Sequence, residues 1–175
     1  MILALDYGEK RIGVAVSDEG EKFAKALECI THKSEPGKIS VKDFPHETSQ
    51  EVIQDERRKA KSDRKLEERK LFNKILHLVT LHYPDKILIG LPTTADATTG
   101  RAVIGKQAKK VQRFAKKLES FLKKNNILVE IIFVEESMTS VDAEKKLRAE
   151  GLGSKRIKEK IDSESAKCLL ESFSR

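Results

Sequence analysis

"LALDYGEKRIGVAVSDEG", residues 3–20, sets the reading of the whole chain. The apolar run that starts at Ile2 has no alternation, which suits a central strand covered on both faces. From Arg11 to Asp18 the pattern has period two. Ile12, Val14 and Val16 share one face, and Gly13, Ala15 and Ser17 share the other, so a second strand follows with a small-residue face that lets a helix come close. "YGEK" between them reads as a hairpin turn. Asp6 therefore sits at the end of a buried strand, where a carboxylate is either a turn former or a reactive group.

The chain has 175 residues, 38% hydrophobic and 36% charged, which fits a single domain over 1–175 with a real core. Its net charge of +7 and pI near 9.3 favour polyanionic partners. Cys29 and Cys168 lie far apart without metal-type spacing and read as free thiols. The apolar N-terminal run is cut by Asp6 and no stretch approaches the ~20 apolar residues of a membrane span, so the expected location is cytoplasmic with no membrane partner.

Further along, residues 23–32 suggest a third strand, although "FAKALECI" also suits a helical turn. Residues 34–49 hold two prolines and a glycine and read as loop. "DERRKAKSDRKLEERK", residues 55–70, is almost wholly charged. It is either a solvated helix face or a projecting arm that touches nucleic acid or a second subunit, and the span of about 34–70 reads as a charged insertion. Residues 71–81 turn apolar and must pack on the body.

"KILIGLP", 86–92, is a short buried strand, stopped by proline. Residues 93–100 read as a polar loop, and 101–124 as one amphipathic helix with Ile104, Ala108, Val111, Ala115, Leu118 and Leu122 on its apolar stripe. The opposite side of that helix carries Arg101, Lys106, Lys109, Lys110, Arg113 and further lysines against Glu119 alone, which points to a phosphate-facing surface. "ILVEIIFVEE", 127–136, is another strand, with Glu135 and Glu136 at its end. Residues 138–150 form a helix that Thr139 or Ser140 could cap and Gly151 stops. The last helix is expected to begin near Ile161.

Hairpin strands followed by βα units predict a mixed sheet with helices on its faces. In open α/β sheets, sites form beyond the carboxyl ends of the parallel strands. If the strands ending at Asp6, Pro92 and Glu136 are parallel neighbours, Asp6 meets the glutamate pair at one rim. Asp162 shares a helical face with Ala166, Leu169 and Phe173. It is either a first-turn acid held by free amides or an inward charge compensated by a metal. Carboxylates without histidine or cysteine suit Mg²⁺ or Mn²⁺. Two such ions ~4 Å apart could activate water and stabilise the leaving oxygen of a phosphodiester.

Four segments carry a resemblance that covers most of the chain. "LDYGEKRIGVAVSD", "IGLPTTADATTG" with "QAKKVQRFAKKL", "VEESMTSVDAEKKL" and "EKIDSESAKCLLESF" resemble the motifs of the YqgF/RuvX family. Its members are described as Holliday junction resolvases and nucleases of precursor ribosomal RNA. The resemblance implies an α/β, RNase H-like fold: a mixed five-stranded sheet, three antiparallel hairpin strands then parallel βα units, flanked by helices. It implies a metal-dependent endonuclease for structured nucleic acid, in 5′-end maturation of precursor 16S rRNA or junction resolution. Asp6, Glu136 and Asp162 would be its catalytic residues, and together with Glu135 its metal ligands. The expected nucleic-acid contacts are Lys10, Arg11, Arg101, Lys106, Lys109, Lys110, Arg113 and Thr139.

Glu135 and Ser137 stand where the family has Asp and Arg, which keeps a non-catalytic nucleic-acid-binding relative open as an alternative. An ATP-binding actin-like phosphotransferase shares the Asp-x-Gly hairpin, but the chain lacks the length for its second domain. A homodimer is a further expectation, since a resolvase would benefit from two symmetric sites.

Overall fold

A computed structural model describes residues 1–32, 50–95, 102–103, 105–136 and 139–173. The first hairpin forms as its pattern dictates. β1 (Ile2–Tyr7) pairs antiparallel with β2 (Arg11–Ser17), Asp6 opposite Gly13. Gly8 makes the turn: its amide donates to the Arg11 carbonyl at 3.0 Å, and a Cβ there would lie 2.8 Å from that same oxygen. Asp18, at the far end of the opening stretch, is a turn former. Its carboxylate accepts the amides of Lys22 and Phe23 at 2.7 and 2.9 Å. Those bonds, the one from Phe23 foremost, hold its carboxyl below the usual range.

The third hairpin strand is split. Ala24–Ala26 (β3) and Ile30–Thr31 (β4) each pair antiparallel with β2. The expected loop at 34–49 lies outside the described residues. The charged run and the apolar run after it are one helix, α1 (Gln50–His82). β5 (Lys86–Pro92) lies parallel to β1, and β8 (Glu130–Glu136) lies parallel to β5. The main sheet runs β3-β2-β1-β5-β8, with β4 as a sixth strand against β2. It is mixed as expected, and its three parallel strands end at one rim.

Two boundaries differ from the sequence reading. The amphipathic helix opens at Lys106. Ala102–Val103 (β7) pairs instead with Thr94–Ala95 (β6) in a small antiparallel ribbon, and α2 spans Lys106–Lys124. Ile104 lies outside the described residues, and Gly105, extended, is the residue that precedes the helix. After α3 (Thr139–Ala149), Gly151 at φ +77° ends the helix as expected. The amides of Gly151 and Leu152 reach back to the carbonyls of Arg148 and Leu147. α4 then starts at Ser154, seven residues before Ile161. The buried Ile157 secures the extra turns, and its amide donates to the Gly153 carbonyl. Among the described residues no helix is long and apolar enough to cross a membrane.

Alternation divides the core between the sheet's faces. Leu3, Leu5, Ile12, Val14, Ile87 and Ile89 pack with Phe72, Ile75 and Val79 of α1 and Val111, Phe114 and Leu118 of α2. On the other face Ile2, Ala4, Ala15 and Leu88 meet Ala166, Leu169 and Leu170 of α4. α4 comes closest at Gly13, where a Cβ would lie 1.8 Å from the backbone oxygen of Asp162. A side chain there must drive helix and strand apart. Gly13→Ala is accordingly expected to cost ~1–3 kcal/mol, read as a lower urea midpoint with an unchanged m-value. Unaltered stability would mean that β2 and α4 do not touch at that point.

Candidate active site

The rim residues follow from this register. Asp6 continues the series Ile2, Ala4 on the face that receives α4, while Tyr7 turns to the other face and packs on Phe114, ring centroids 4.4 Å apart. Asp6 is partly exposed and lies directly across the ladder from Gly13. Gly13 in turn abuts the backbone of Asp162. The hairpin and α4 thus bring Asp6 and Asp162, distant in sequence, to the same level of one sheet face.

Asp162 is the ninth residue of α4, well inside the helix. The explanation by free first-turn amides is therefore overturned. Its charge is met by Arg11, whose Nε donates to Asp162 Oδ2 at 2.7 Å and whose Nη2 donates to the Lys158 carbonyl at 2.6 Å. The pair is about one-third exposed on each side. Arg11 was expected to contact nucleic acid; here its guanidinium clamps the hairpin to α4 one turn apart, at Lys158 and Asp162.

At the other strand ends, Glu136 closes β8 beside Pro92 of β5. It follows Ile132 and Val134 at a spacing of two, and both of those pack against the α4-side core. Its side chain lies outside the description. Glu135 alternates with Ile131, which packs on the α1–α2 side, and is itself exposed. Alternation therefore puts Glu135 on the opposite face of the sheet from Asp6 and Asp162.

Of the expected nucleic-acid contacts, Lys10 is exposed in the hairpin turn. Lys106, Lys109, Lys110 and Arg113 are exposed along the first half of α2, beside the rim where Phe114 meets Tyr7. Thr139 is the first residue of α3, with its side chain outside the description, and Arg101 lies outside the described residues altogether.

Sequence reasoning missed three supports. The His32 ring bonds the Gly8 carbonyl at 3.1 Å and stacks on Tyr7, bracing the hairpin turn behind Asp6. Ser163, next to Asp162, donates its hydroxyl to the Leu27 carbonyl and lies 3.0 Å from Cys29 Sγ. These contacts fix α4 against the β3–β4 connection. A hydroxyl just after an inward-facing acid was the one available signal.

Comparison with known proteins identifies the lineage. The family described as RuvX, Holliday junction resolvase, matches residues 1–55 and 48–174. The chain belongs to the RuvX family. A protein of Sulfurihydrogenibium sp. (strain YO3AOP1) is 34% identical over 98% of this chain and 88% of its own length. A Chloroflexus aurantiacus protein is 32% identical over 99% and 85%, and one from Syntrophus aciditrophicus is 30% identical over 98% and 86%. Each is named "Putative pre-16S rRNA nuclease". Among solved structures, Thermus thermophilus RuvC in complex with a Holliday junction substrate aligns at TM-score 0.45 and 14% identity, over 98% of this chain and 92% of that one.

The Arg11 clamp makes a quantitative expectation for this RuvX member. A double-mutant cycle of Arg11→Met and Asp162→Asn should give a coupling free energy of ~1 kcal/mol or more, and Arg11→Lys, which cannot span both acceptors, should recover only part of it. A coupling near zero would mean that the two side chains act independently.

Proposed function

We propose that the protein is a metal-dependent endonuclease that hydrolyses phosphodiester bonds in structured RNA, with precursor 16S rRNA as its substrate. The observation that carries this is the placement of Asp6 and Asp162 on one sheet face at one level, across a gap that only glycine leaves open. The names of the relatives support the choice of substrate.

The donor set fits a hard divalent cation. Two carboxylates come from a strand end and a helix, a third, Glu136, ends β8, and neither histidine nor cysteine is among them. Asp162 pairs with Arg11 through Oδ2, so a cation would share that carboxylate with the guanidinium. Asp6, Glu136 and Asp162 would hold Mg²⁺ or Mn²⁺. Bound there, such ions would lower the pKa of a water and stabilise charge at the phosphate. The chain's own residues do the remainder. The rigid hairpin fixes Asp6, Gly13 sets how near α4 comes, and Arg11 orients the Asp162 carboxylate. Lys106, Lys109, Lys110 and Arg113 draw the phosphate backbone to the rim. We place the chain in the cytoplasm as a nucleic-acid partner; a homodimer stays within the proposal as an arrangement for branched substrates.

The deciding assay compares precursor 16S rRNA with a four-way DNA junction, each with Mg²⁺ or Mn²⁺ and with EDTA. Metal-dependent cleavage of the rRNA precursor is expected, and Asp6→Asn and Asp162→Asn should each lower it by ~100-fold or more. Preferential cleavage of the junction would move the substrate to DNA. Tight binding without turnover, unchanged by either substitution, would make the chain a non-catalytic binding relative.

A further inference from the structure

α1 is 33 residues long, ~50 Å at 1.5 Å per residue; Ile53 is buried near its start, and its other described buried residues lie in its second half. Leu71, Phe72, Ile75 and Val79 are buried there. From Gln54 to Leu66 every residue but Ala60 is exposed. A stretch with so little buried apolar surface gains almost nothing from packing, so its sequence must answer to something other than the core.

The spacing shows what. Ile75 lies 7, 11, 14 and 18 residues beyond Glu68, Arg64, Lys61 and Arg57. Each interval is close to a whole number of 3.6-residue turns, so all five share one stripe. The stripe that docks α1 on the body thus continues outward with its chemistry changed from apolar to cationic. Lys65 flanks it on one side, and Glu56, Asp63 and Glu67 lie together on the opposite flank. Arg57–Lys61 and Lys61–Lys65 are like-charge i,i+4 pairs, which destabilise an isolated helix. Among the described residues, Arg57, Lys61, Arg64 and Lys65 make no ion pair.

The single acid in the stripe, Glu68, is already used. Its Oε1 accepts from Lys117 Nζ of α2 at 2.6 Å. Lys117 itself stands 4, 7 and 11 residues from Arg113, Lys110 and Lys106, in line with the phosphate-facing side of α2. The Glu68–Lys117 bond therefore joins two cationic stripes into one track.

We propose that the outer half of α1 is an arm that grips the phosphate backbone of a duplex flank of the RNA substrate, continuing the track that starts on α2. This rests on the nucleic-acid reading above. The occupant must be anionic, because the exposed stripe is cationic and its like charges are relieved only by negative charge. A second copy of the helix is a poor fit, since Ile53 is already buried and from Gln54 to Leu66 the apolar residues are Ala60 and Leu66 alone, too few for a heptad seam. From Arg57 to Arg64 the stripe spans ~10 Å, and to Glu68 ~16 Å, room for a few consecutive phosphates of one strand.

The test measures binding of the full chain to a 30-base-pair RNA duplex in EDTA by fluorescence anisotropy, across a salt series. Replacing Arg57, Lys61 and Arg64 together by Gln should weaken binding ~10-fold or more and lower the slope of log K against log salt by roughly 2–3. Replacing Arg57 and Arg64 by Lys should retain the slope, and Glu56→Gln with Asp63→Gln should not weaken binding. Circular dichroism and sedimentation of each variant report helix content and oligomeric state. An unchanged slope in the triple variant, alongside a reduced one when Lys106, Lys110 and Arg113 are replaced, would overturn the arm and leave the nuclease reading standing. A dimer that dissociates in the triple variant would overturn it in favour of a subunit contact. Failure of the intact chain to bind the duplex at all would remove the nucleic-acid reading itself.

Discussion

The closeness of α4 to β2 is the constraint on which the candidate site depends. Where Gly13 faces the backbone of Asp162, the helix rests on the strand's main chain with room for a hydrogen and nothing more. Ala4, Ala15 and Ala166 keep the surrounding contact thin. Larger residues at these points would add buried apolar area, and on area alone they would be favoured. They would also lift α4 and carry Asp162 away from the level of Asp6. The small-residue face of the hairpin therefore gives up burial in exchange for proximity of two like charges.

Two carboxylates on one face repel, and the fold compensates locally. Arg11 lies on the same hairpin as Asp6 and reaches Asp162 from below the turn. Its second bond, to the Lys158 carbonyl, fixes the plane of the guanidinium, so the contact with Asp162 is directional as well as electrostatic. A lysine in its place would supply charge without that geometry. His32 and Ser163 brace the two sides of the same junction.

The hairpin was legible because period-two alternation with glycine and alanine on one side has a single structural meaning, and the parallel strands because their apolar runs end sharply. Asp6 and Asp162 could be paired from strand end and helical phase. What could not be read was relative height and face. Glu135 and Glu136 are equivalent in composition, and only the register of β8 against β5 separates them. The start of α4 was misplaced because Ser154–Lys160 has just one apolar anchor, Ile157, too few for a periodic signal. β6 and β7 were missed because two-residue strands have no periodicity to detect. The Arg11–Asp162 pair could not be read because Arg11, at the start of β2, is 151 residues from Asp162.

The sheet also keeps opposite charges apart. Asp6 and Asp162 lie on the α4 face, whereas the lysines and arginines of α1 and α2 ride on helices that pack against the other face. Had the cations shared the acids' face, they would have formed ion pairs with Asp6 and Asp162 and cancelled the field at the rim. Separated by the thickness of the sheet, roughly 10 Å from face to face of its neighbours and so about a Debye length at physiological salt, the two sets interact weakly. Arg11 reaches the acidic face tied to the backbone of α4, where it orients the Asp162 carboxylate.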